Sequence, residues 1–599
     1  MSIMTPSSTA PTTERRIQPL WPLLGLVSIG FHLSLIFSGL VPALIARPIH
    51  MALALPWIFI LGARGPLAKA SGLVFFLLGE AACLYIVFNA DALSDQYGFI
   101  DTGLQMAVAI TLLVVTLEMA RRAIGWPLPL VALICLLYGL FGQFIPGEYG
   151  HPGFPLASYL GTLTITEGGI WGSLTGVSVG IVSIFVILGA VLNAGEAGQG
   201  FMNLAGLAAG RLKGGAGKVA ILSSALFGSI SGSASANVAS TGAITIPAMK
   251  KLGYPKALAG AVEAVASSGG QIMPPLMGAG AFVMVELTGI AYPAIMGAAL
   301  LPAILYFLTA WIGVDLFARR YDLKPVDVAD RPKPRDVAIT ALFFAVPFAI
   351  LLERMFVGGV TPQYAACLAI LAAALLLFFD IRFRFSARRF ADRLSLAAVE
   401  AGRQIAMIAA IIICASIVIG VLGLTGLGVK VTSAILAVAG EALWPALLLT
   451  ALACILLGME VPTTAAYVIC VTVAGPALQR LGIEPLLAHL FVFWFALLST
   501  ITPPVCGAVF IAAGMAGENW LKVAGSAMRL GIGLYVIPLA MIANPAVIDL
   551  VEAPGAALIA FVKIAIALWA LSASLIWKGA LPLRALLFAG GLLLCFWPM

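Results

Sequence analysis

Side-chain oxygens are concentrated in one short segment of a chain that is 62% hydrophobic: residues 229–240 read SISGSASANVAS. Further along, residues 269–275 read GGQIMPP, where two prolines interrupt the helical ladder and leave backbone carbonyls free. Oxygen ligands suit a hard monovalent cation, and carbonyls at the C-terminal end of a half-helix favour positive charge. We therefore predict a first cation site made of Ser231, Ser233, Asn237, Gly270, Met273 and Pro275.

The same features recur 229 residues later. PAMKKLG (247–253) aligns with PALQRLG (476–482), and QIMPP (271–275) aligns with TITPP (500–504). Five predicted spans separate the starts of the two units, and an odd number inverts the second copy in the membrane. Inverted repeats with interrupted helices are typical of transporters, which bind their cargo near the interruptions. The second predicted cation site contains Gly458, Thr463, Thr464, Ser499, Thr500 and Thr502.

Other polar side chains near these segments are candidates for contact with a substrate or a proton. Half-helix N-termini can hold a carboxylate, and the candidate substrate contacts are Ser235, Ser268, Gln271 and Arg529. Acidic residues are costly inside a span, so Glu263 and Glu460 are candidates for proton coupling. Two alternatives stay open: small hydroxyl residues also let membrane helices pack closely, and Arg529 also fits an orientation signal near a span end.

The composition indicates a membrane protein. Only 10% of the 599 residues are charged, whereas a soluble domain carries about 25%, and apolar runs of about 20 residues recur from Leu20 onwards. The positive charges behind the net charge of +7 lie in short loops, where they signal orientation rather than nucleic-acid binding. Dispersed cysteines, scattered histidines and an incomplete phosphate-loop pattern in RLKGGAGKVA (211–220) indicate no zinc, disulfide or ATP site. We therefore expect no cofactor, no ATPase partner and no enzyme activity.

The apolar runs predict an all-α polytopic protein with about 15 transmembrane helices plus two re-entrant hairpins. The hairpins, near 216–250 and 442–478, each contain two apolar pieces too short to cross the membrane twice. Most arginines and lysines share one side if the N-terminus is cytoplasmic, and the first apolar run is interpreted as a retained span. The expected regions are a cytoplasmic tail (1–19), a four-helix region (20–125), a connecting helix and periplasmic segment (126–175), repeat 1 (176–316), central loops with two scaffold helices (317–399), repeat 2 (400–545) and C-terminal helices (546–599).

Two pairs of stretches resemble a known family. SGSASANVASTGAITIPAMKKLGY followed by ASSGGQIMPP, and GMEVPTTAAY followed by STITPP, resemble the large membrane subunit of tripartite ATP-independent periplasmic (TRAP) transporters, within the ion transporter superfamily. The resemblance covers residues 126–545, and residues 20–125 resemble the small four-helix subunit, fused in front. The fusion, and Asn237 where many relatives have Asp, are similar to the TAXI branch of this family.

This resemblance implies that the protein lies in a bacterial inner membrane, in contact with lipid, and that it transports by an elevator mechanism. It also implies a TAXI-type periplasmic binding protein that delivers a small organic acid, with uptake coupled to a cation. We expect that cation to be Na⁺, because the first hairpin offers neutral oxygens; Asn237 lacks the charge of Asp and leaves H⁺ as the alternative. Two other functions stay open at this point: the membrane domain of an ATP-driven importer, and a channel with carbonyl-lined re-entrant loops.

Overall fold

The computed structural model describes residues 19–439, 442–458, 461–504 and 506–597. Within these ranges the apolar runs form helices joined by turns, without a β-strand; a single bridge pairs Phe379 with Phe385. Helices are the expected outcome because the bilayer core offers no water to backbone N–H and C=O groups, which must bond within the segment itself.

The first part of the chain forms helices that begin and end mostly at proline, glycine or polar residues. Thr102 caps the fifth of them by accepting a hydrogen bond from the Gln105 backbone N–H, which satisfies one donor of the first turn. The bounds are α1 Leu20–Phe37, α2 Ala43–Pro56 with a π-helical extension Trp57–Leu61, α3 Pro66–Phe88, α4 Ala90–Asp95, α5 Gly103–Ile124, α6 Pro127–Phe141 and α7 Leu156–Thr164.

The next part contains the first predicted repeat. Its hairpin turns at Gly232, whose φ of +60° lies in the left-handed region that favours glycine. Ser233 follows as the N-cap of the second arm. The bounds are α8 Ser173–Val177, a π-helical turn Ser178–Val182, α9 Ser183–Ala194, α10 Ala197–Ala209, the hairpin arms α11 Gly215–Ser231 and α12 Ala234–Lys251, the half-helices α13 Lys256–Gly269 and α14 Ala279–Thr288, and α15 Tyr292–Tyr321.

Two helices, α16 Pro334–Phe356 and α17 Pro362–Leu376, lead to the second repeat, which has the same order of elements. The arm α12 and the half-helix α13 begin 229 residues before their counterparts α21 and α22, as the sequence offset predicts. The bounds are α18 Ala387–Thr425, α19 Leu427–Ala439, the hairpin arms α20 Leu443–Leu457 and α21 Thr463–Arg480, the half-helices α22 Pro485–Leu498 and α23 Gly507–Ala516, α24 Trp520–Leu530, α25 Ile532–Ala543, α26 Pro554–Ile576 and α27 Leu581–Phe596.

The predicted spans all have a helical counterpart in the described ranges. Ten helices are long and apolar enough to cross a membrane, and α24 with α25, bent by 41°, makes an eleventh. The others are α13–α14 and α22–α23, each interrupted at a Pro-Pro pair, and the shorter helices α17 and α27. The chain is therefore a polytopic all-α membrane protein, as predicted.

The two repeats pack against each other reciprocally. The arm α12 and half-helix α13 of the first repeat pack on α23 of the second, while α21 and α22 of the second pack on α14 of the first. Equivalent elements thus exchange equivalent contacts, which is the pattern expected of two copies related by a pseudo-two-fold axis. This exchange brings the two hairpins and the two interrupted spans into one block.

The first region is packed against this block through α18, which contacts α1, α2, α5 and α6. A Cβ placed on Gly25 of α1 would lie 2.2 Å from the Ala398 carbonyl oxygen of α18. The two helices therefore meet backbone to backbone, and glycine is required for this close approach.

A chain of buried hydrogen bonds adds a second connection between the first region and the repeats. His32 Nε2 lies 2.8 Å from His50 Nδ1, and His50 Nε2 lies 2.9 Å from the Ser178 hydroxyl. His32 Nδ1 bonds to the Ser28 carbonyl, 2.7 Å away. A carbonyl only accepts, so His32 donates from Nδ1, His50 donates to His32, and Ser178 donates to His50. Both rings are satisfied as neutral imidazoles by this arrangement.

Candidate functional site

A cavity of about 750 Å³ lies where the two hairpin tips and the two helix interruptions face α18. Seven of the twelve predicted cation ligands line it: Ser231, Ser233, Gly458, Thr463, Thr464, Ser499 and Thr500. Two predicted substrate contacts, Ser235 and Gln271, line it as well. Residues from both repeats, 229 positions apart in sequence, therefore share one space.

The tip of the first hairpin presents hydroxyl groups to this cavity. The Ser233 hydroxyl accepts from the Ala236 backbone N–H at 3.4 Å, as an N-cap does. The Ser231 hydroxyl lies 3.5 Å from the Ser233 carbonyl, the outer limit of a hydrogen bond. Both hydroxyl groups line the cavity, and each keeps at least one lone pair for a ligand that enters it.

Asn237 has a different environment from the two serines. Its side chain is fully buried, and its Nδ2 donates to the Ser224 carbonyl at 3.0 Å and to the Ser267 carbonyl at 3.4 Å. Its Oδ1 lies 3.3 Å from the Thr241 hydroxyl. Asn237 thus joins the hairpin to α13 and does not line the cavity, so a cation in the cavity would need a rearrangement to reach it.

The carbonyls freed at the first interruption, residues 270–278, are partly engaged inside the protein. The Gln271 carbonyl accepts from the Gly278 N–H at 2.7 Å, and the Tyr292 hydroxyl lies 2.8 Å from the Pro275 carbonyl. Gly270 and Met273 also lie outside the cavity lining. Of this turn, Gln271, Leu276 and Met277 line the cavity, and the predicted ligand Pro275 does not.

The second repeat brings more of its predicted ligands to the cavity. Ser499 lies against Gly458, where an added Cβ would be 2.6 Å from the serine hydroxyl. The Thr500 hydroxyl lies 3.0 Å from that of Ser268, which links the two interruptions directly. Thr502 points elsewhere, because its hydroxyl bonds to the Leu498 carbonyl and to the Tyr535 hydroxyl, 2.7 and 2.8 Å away.

Of the two acidic candidates, the structure describes Glu263 but not Glu460. Glu263 is fully buried and does not line the cavity, and its carboxyl group lies among four hydroxyl groups from α11, α12 and α13. Glu460 lies outside the described residues, so its role stays a sequence-based prediction.

The polar side chains that α18 contributes to the cavity were not among the sequence-based candidates: Glu400, Arg403 and Gln404. Gln404 Nε2 donates to Glu400 Oε1 at 2.5 Å. Arg403 is exposed in the cavity and has no acidic partner within 4 Å in the described parts of the chain. A charged residue within the N-terminal part of a long apolar run is the sequence signal that could have identified it.

Arg529, the predicted substrate contact on α24, is not part of this cavity. It borders a separate depression of about 310 Å³, whose other lining residues are Met528, Ile532, Tyr535 and Leu575. The cavity between the hairpins therefore has Arg403, not Arg529, as its cationic side chain within the described residues.

Comparison with known families shows which family has this arrangement of hairpins and interrupted helices. Residues 111–556 match the family model described as "Tripartite ATP-independent periplasmic transporter, DctM component". The chain belongs to this family. The match contains both hairpins, both interruptions and all the residues that line the cavity. A TRAP transporter membrane component is a permease and not an enzyme, and its ATP independence removes the ATP-driven importer considered above.

Curated relatives agree with this membership. The chain is 25% identical over 405 residues to the isethionate TRAP transporter permease protein DctMQ of Oleidesulfovibrio alaskensis, covering 64% of this chain and 61% of that protein. It is 25% identical over 340 residues to the C4-dicarboxylate TRAP transporter large permease protein DctM of Pseudomonas aeruginosa, covering 56% and 77%. An uncharacterized protein, YgiK of Salmonella typhimurium, is 26% identical over 61% of this chain and 82% of its own length.

The family also implies a partner. TRAP permeases of this kind operate with a periplasmic substrate-binding protein, and the chain is accordingly the multi-pass membrane part of a binding-protein-dependent transporter. The DctMQ relative bears the name of a fused permease, which agrees with the fusion of small-subunit-like and large-subunit-like regions predicted from the sequence.

Proposed function

We propose that this TRAP permease imports a small organic anion, received from a periplasmic binding protein, and that a cation gradient drives the import. The observation that supports this most strongly is the cavity between the hairpin tips. Its volume of about 750 Å³ lies within the ordinary range for small-molecule sites. Its lining combines hydroxyl groups of both repeats with one guanidinium group, that of Arg403.

The chemistry of the lining favours a carboxylate or a similar anion. Hydroxyl groups such as Ser235 and Thr464 can donate to anionic oxygens, and Arg403 can add a charge-assisted hydrogen bond. The relatives are named for isethionate and for C4-dicarboxylates. These organic acids indicate the class of cargo that we assign to this chain.

For the coupling cation we propose Na⁺ at the hydroxyl groups of the hairpin tips. Ser231 and Ser233 in the first repeat, and Thr463 and Ser499 in the second, lie at the cavity with neutral oxygens. Neutral oxygens hold Na⁺ loosely enough for a carrier to release it. The engaged oxygens of Asn237 are assigned a packing role in this state.

For the movement we propose an elevator. The reciprocal packing of the two hairpins and interrupted spans would let them move as one block past α18 and the first region. We also propose a TAXI-type binding protein as the partner and a bacterial inner membrane as the location. We propose a cytoplasmic N-terminus because Lys and Arg are grouped on one side of the predicted topology.

Reconstitution tests this function. The binding protein is purified with its natural ligand, the ligand is identified by mass spectrometry, and its labelled form is offered to proteoliposomes that contain the full chain. We expect uptake only with the binding protein present and with an inward cation gradient, without ATP. Uptake that ignores every ion gradient, or that proceeds at full rate without the binding protein, would contradict the proposal.

A further inference from the structure

A buried carboxyl group of the half-helix α13 lies in a cage of hydroxyl groups between this helix and the first hairpin. Glu263 Oε1 lies 3.2 Å from the Ser224 hydroxyl and 3.0 Å from the Ser267 hydroxyl. Thr241 and Thr245 place their hydroxyl groups in shorter contact with the two carboxyl oxygens. Ser224 comes from α11, the two threonines from α12 and Ser267 from α13 itself, so the cage joins both hairpin arms to the half-helix.

Cationic groups on the neighbouring elements are engaged elsewhere or lie beyond pairing distance. Lys218 of α11 is 2.7 Å from Asp315 of α15, and Lys250 of α12 bonds to the Ala516 carbonyl. The half-helix α23 has no titratable side chain. No ion pair joins Glu263 to any described residue. The remaining titratable groups on the packed elements are Lys251, Tyr254 and Lys256 near the turn, Tyr292, Tyr306, Arg319, Arg320 and Tyr321 of α15, and Lys522 and Arg529 of α24.

The cage fits a group that exchanges a proton. An ionised carboxylate buried without a cation is costly, and protonation removes that cost. Hydroxyl groups serve both forms, because each can donate to the carboxylate and can accept from the protonated acid. A lysine or arginine partner would instead hold the carboxylate ionised throughout.

The cage lies on the side of α12 that is turned away from the cavity. The face of α12 opposite the cage lines the cavity with Ala236, Ala239 and Ser240. Thr241 and Thr245 are on the buried face of the same helix, within contact of Glu263. The helix α12 therefore separates the carboxyl group from the cavity, and a proton reaches Glu263 only when the hairpin arms loosen.

We infer that Glu263 is a proton-binding site of this permease, separate from the neutral oxygens at the hairpin tips. Protonation converts the carboxylate to the acid inside the closed cage, and ionisation favours loosening of the hairpin arms so that water reaches the charge. The inference rests on the proposed function only in making this proton part of the transport cycle.

Infrared spectroscopy of the full chain in nanodiscs tests the site without any substrate. The carboxylic-acid C=O band is recorded over a pH series in choline chloride, for the wild type, Glu263→Gln and the control Glu286→Gln. Glu286 is an exposed acid of the same interrupted span. We expect one component of this band to grow as the pH falls in the wild type and in the control and to be missing from the Glu263→Gln spectra, in which the other acids of the chain still titrate.

A second variant keeps the carboxyl group and changes only the cage. Thr245→Val removes a donor that stabilises the carboxylate, so the midpoint of the band should move to higher pH, by about one pH unit. A Glu263 band that persists at every pH would make the residue a structural acid, and a carboxylate that appears only with NaCl would make it a sodium ligand. Either result overturns the inference, as does an unchanged Thr245→Val midpoint.

Transport separates this inference from the proposed function. With equal Na⁺ on both sides of the membrane, an inward proton gradient should stimulate uptake of the identified ligand in Glu286→Gln but not in Glu263→Gln. Equal uptake by both variants would remove the proton from the cycle. If the wild type transports nothing under any gradient, the proposed function fails, while the infrared titration still decides whether Glu263 binds a proton.

Discussion

Gly228 of the hairpin arm α11 and Gly270 at the first interruption lie in backbone contact. A Cβ on Gly228 would be 2.3 Å from the Gly270 Cα, and a Cβ on Gly270 would be 2.4 Å from the Gly228 Cα. Neither position has room for a methyl group, and the obstacle is backbone, which cannot rotate away. The hairpin therefore packs on the interrupted span with backbone-to-backbone contact at these two glycines.

Replacing Gly228 by alanine should separate the hairpin from the interruption. Overpacking of a tight contact costs about 1–3 kcal/mol, so we expect a lower thermal unfolding midpoint in detergent and much reduced uptake. Gly525→Ala is the matched control, because nothing lies within 4 Å of a Cβ at that position on α24. Equal midpoints for the two variants would show that the Gly228–Gly270 contact carries no strain.

Removing the Arg403 guanidinium should weaken transport of an anion. Loss of a hydrogen bond to a charged group costs about 1.5–3 kcal/mol, so Arg403→Gln should raise the KM for the identified ligand roughly 10- to 100-fold. Arg388→Gln removes the same charge from an exposed position on the same helix, outside the cavity. If both variants change KM alike, the effect belongs to net charge and not to the cavity.

Breaking the buried histidine chain should loosen the first region. His50→Ala leaves His32 and Ser178 without their partner, and an unsatisfied buried polar group costs about 1–3 kcal/mol. We expect a lower unfolding midpoint in detergent. Ser34→Ala is the control, because the Ser34 hydroxyl is exposed and bonds only to the nearby Phe31 carbonyl. An unfolding midpoint as high for His50→Ala as for Ser34→Ala would argue against a stabilising role for the histidine chain.

Inversion of the repeats predicts opposite sidedness for two equivalent residues. Lys251 ends α12 and Arg480 ends α21, 229 positions later. Single cysteines at these exposed positions should react with an impermeant thiol reagent from opposite sides of the membrane. The eight native cysteines are all buried, which keeps the background low. Labelling of both positions from the same side would refute the inversion.

The hairpins and interruptions could be located from the sequence because each leaves a local signal. Apolar pieces too short to span the bilayer and Pro-Pro pairs in apolar runs gave both hairpins and both broken spans. The start of α18 was missed by 13 residues: it begins at Ala387, not near 400. Its first turns contain Arg388, Arg389 and Arg393, and an apolar-run criterion ends where such charges begin.

Which of the predicted oxygen ligands line the cavity, and which are buried elsewhere, could not be predicted in the same way. Ser231 and Asn237 are six residues apart in one polar cluster, yet one lines the cavity and the other is buried against α13. Which face of α12 is buried depends on the helices that pack on it, and these come from distant parts of the chain. The spacing of Thr241 and Thr245, four residues apart on one face, was the available signal for the Glu263 cage.

The close approach of Gly25 to Ala398 has a consequence for biogenesis. About 370 residues separate the two positions, so at 5–20 residues per second α18 emerges from the ribosome roughly 20–75 s after α1. For that interval α1 must reside in lipid with its docking face vacant. The buried residues of α1 are Gly25, Ser28 and His32, and the ring of His32 is bonded to the Ser28 carbonyl of its own helix and to His50 of the next helix, α2. The first helix can thus wait with little unsatisfied polar surface until a much later one arrives to complete the assembly.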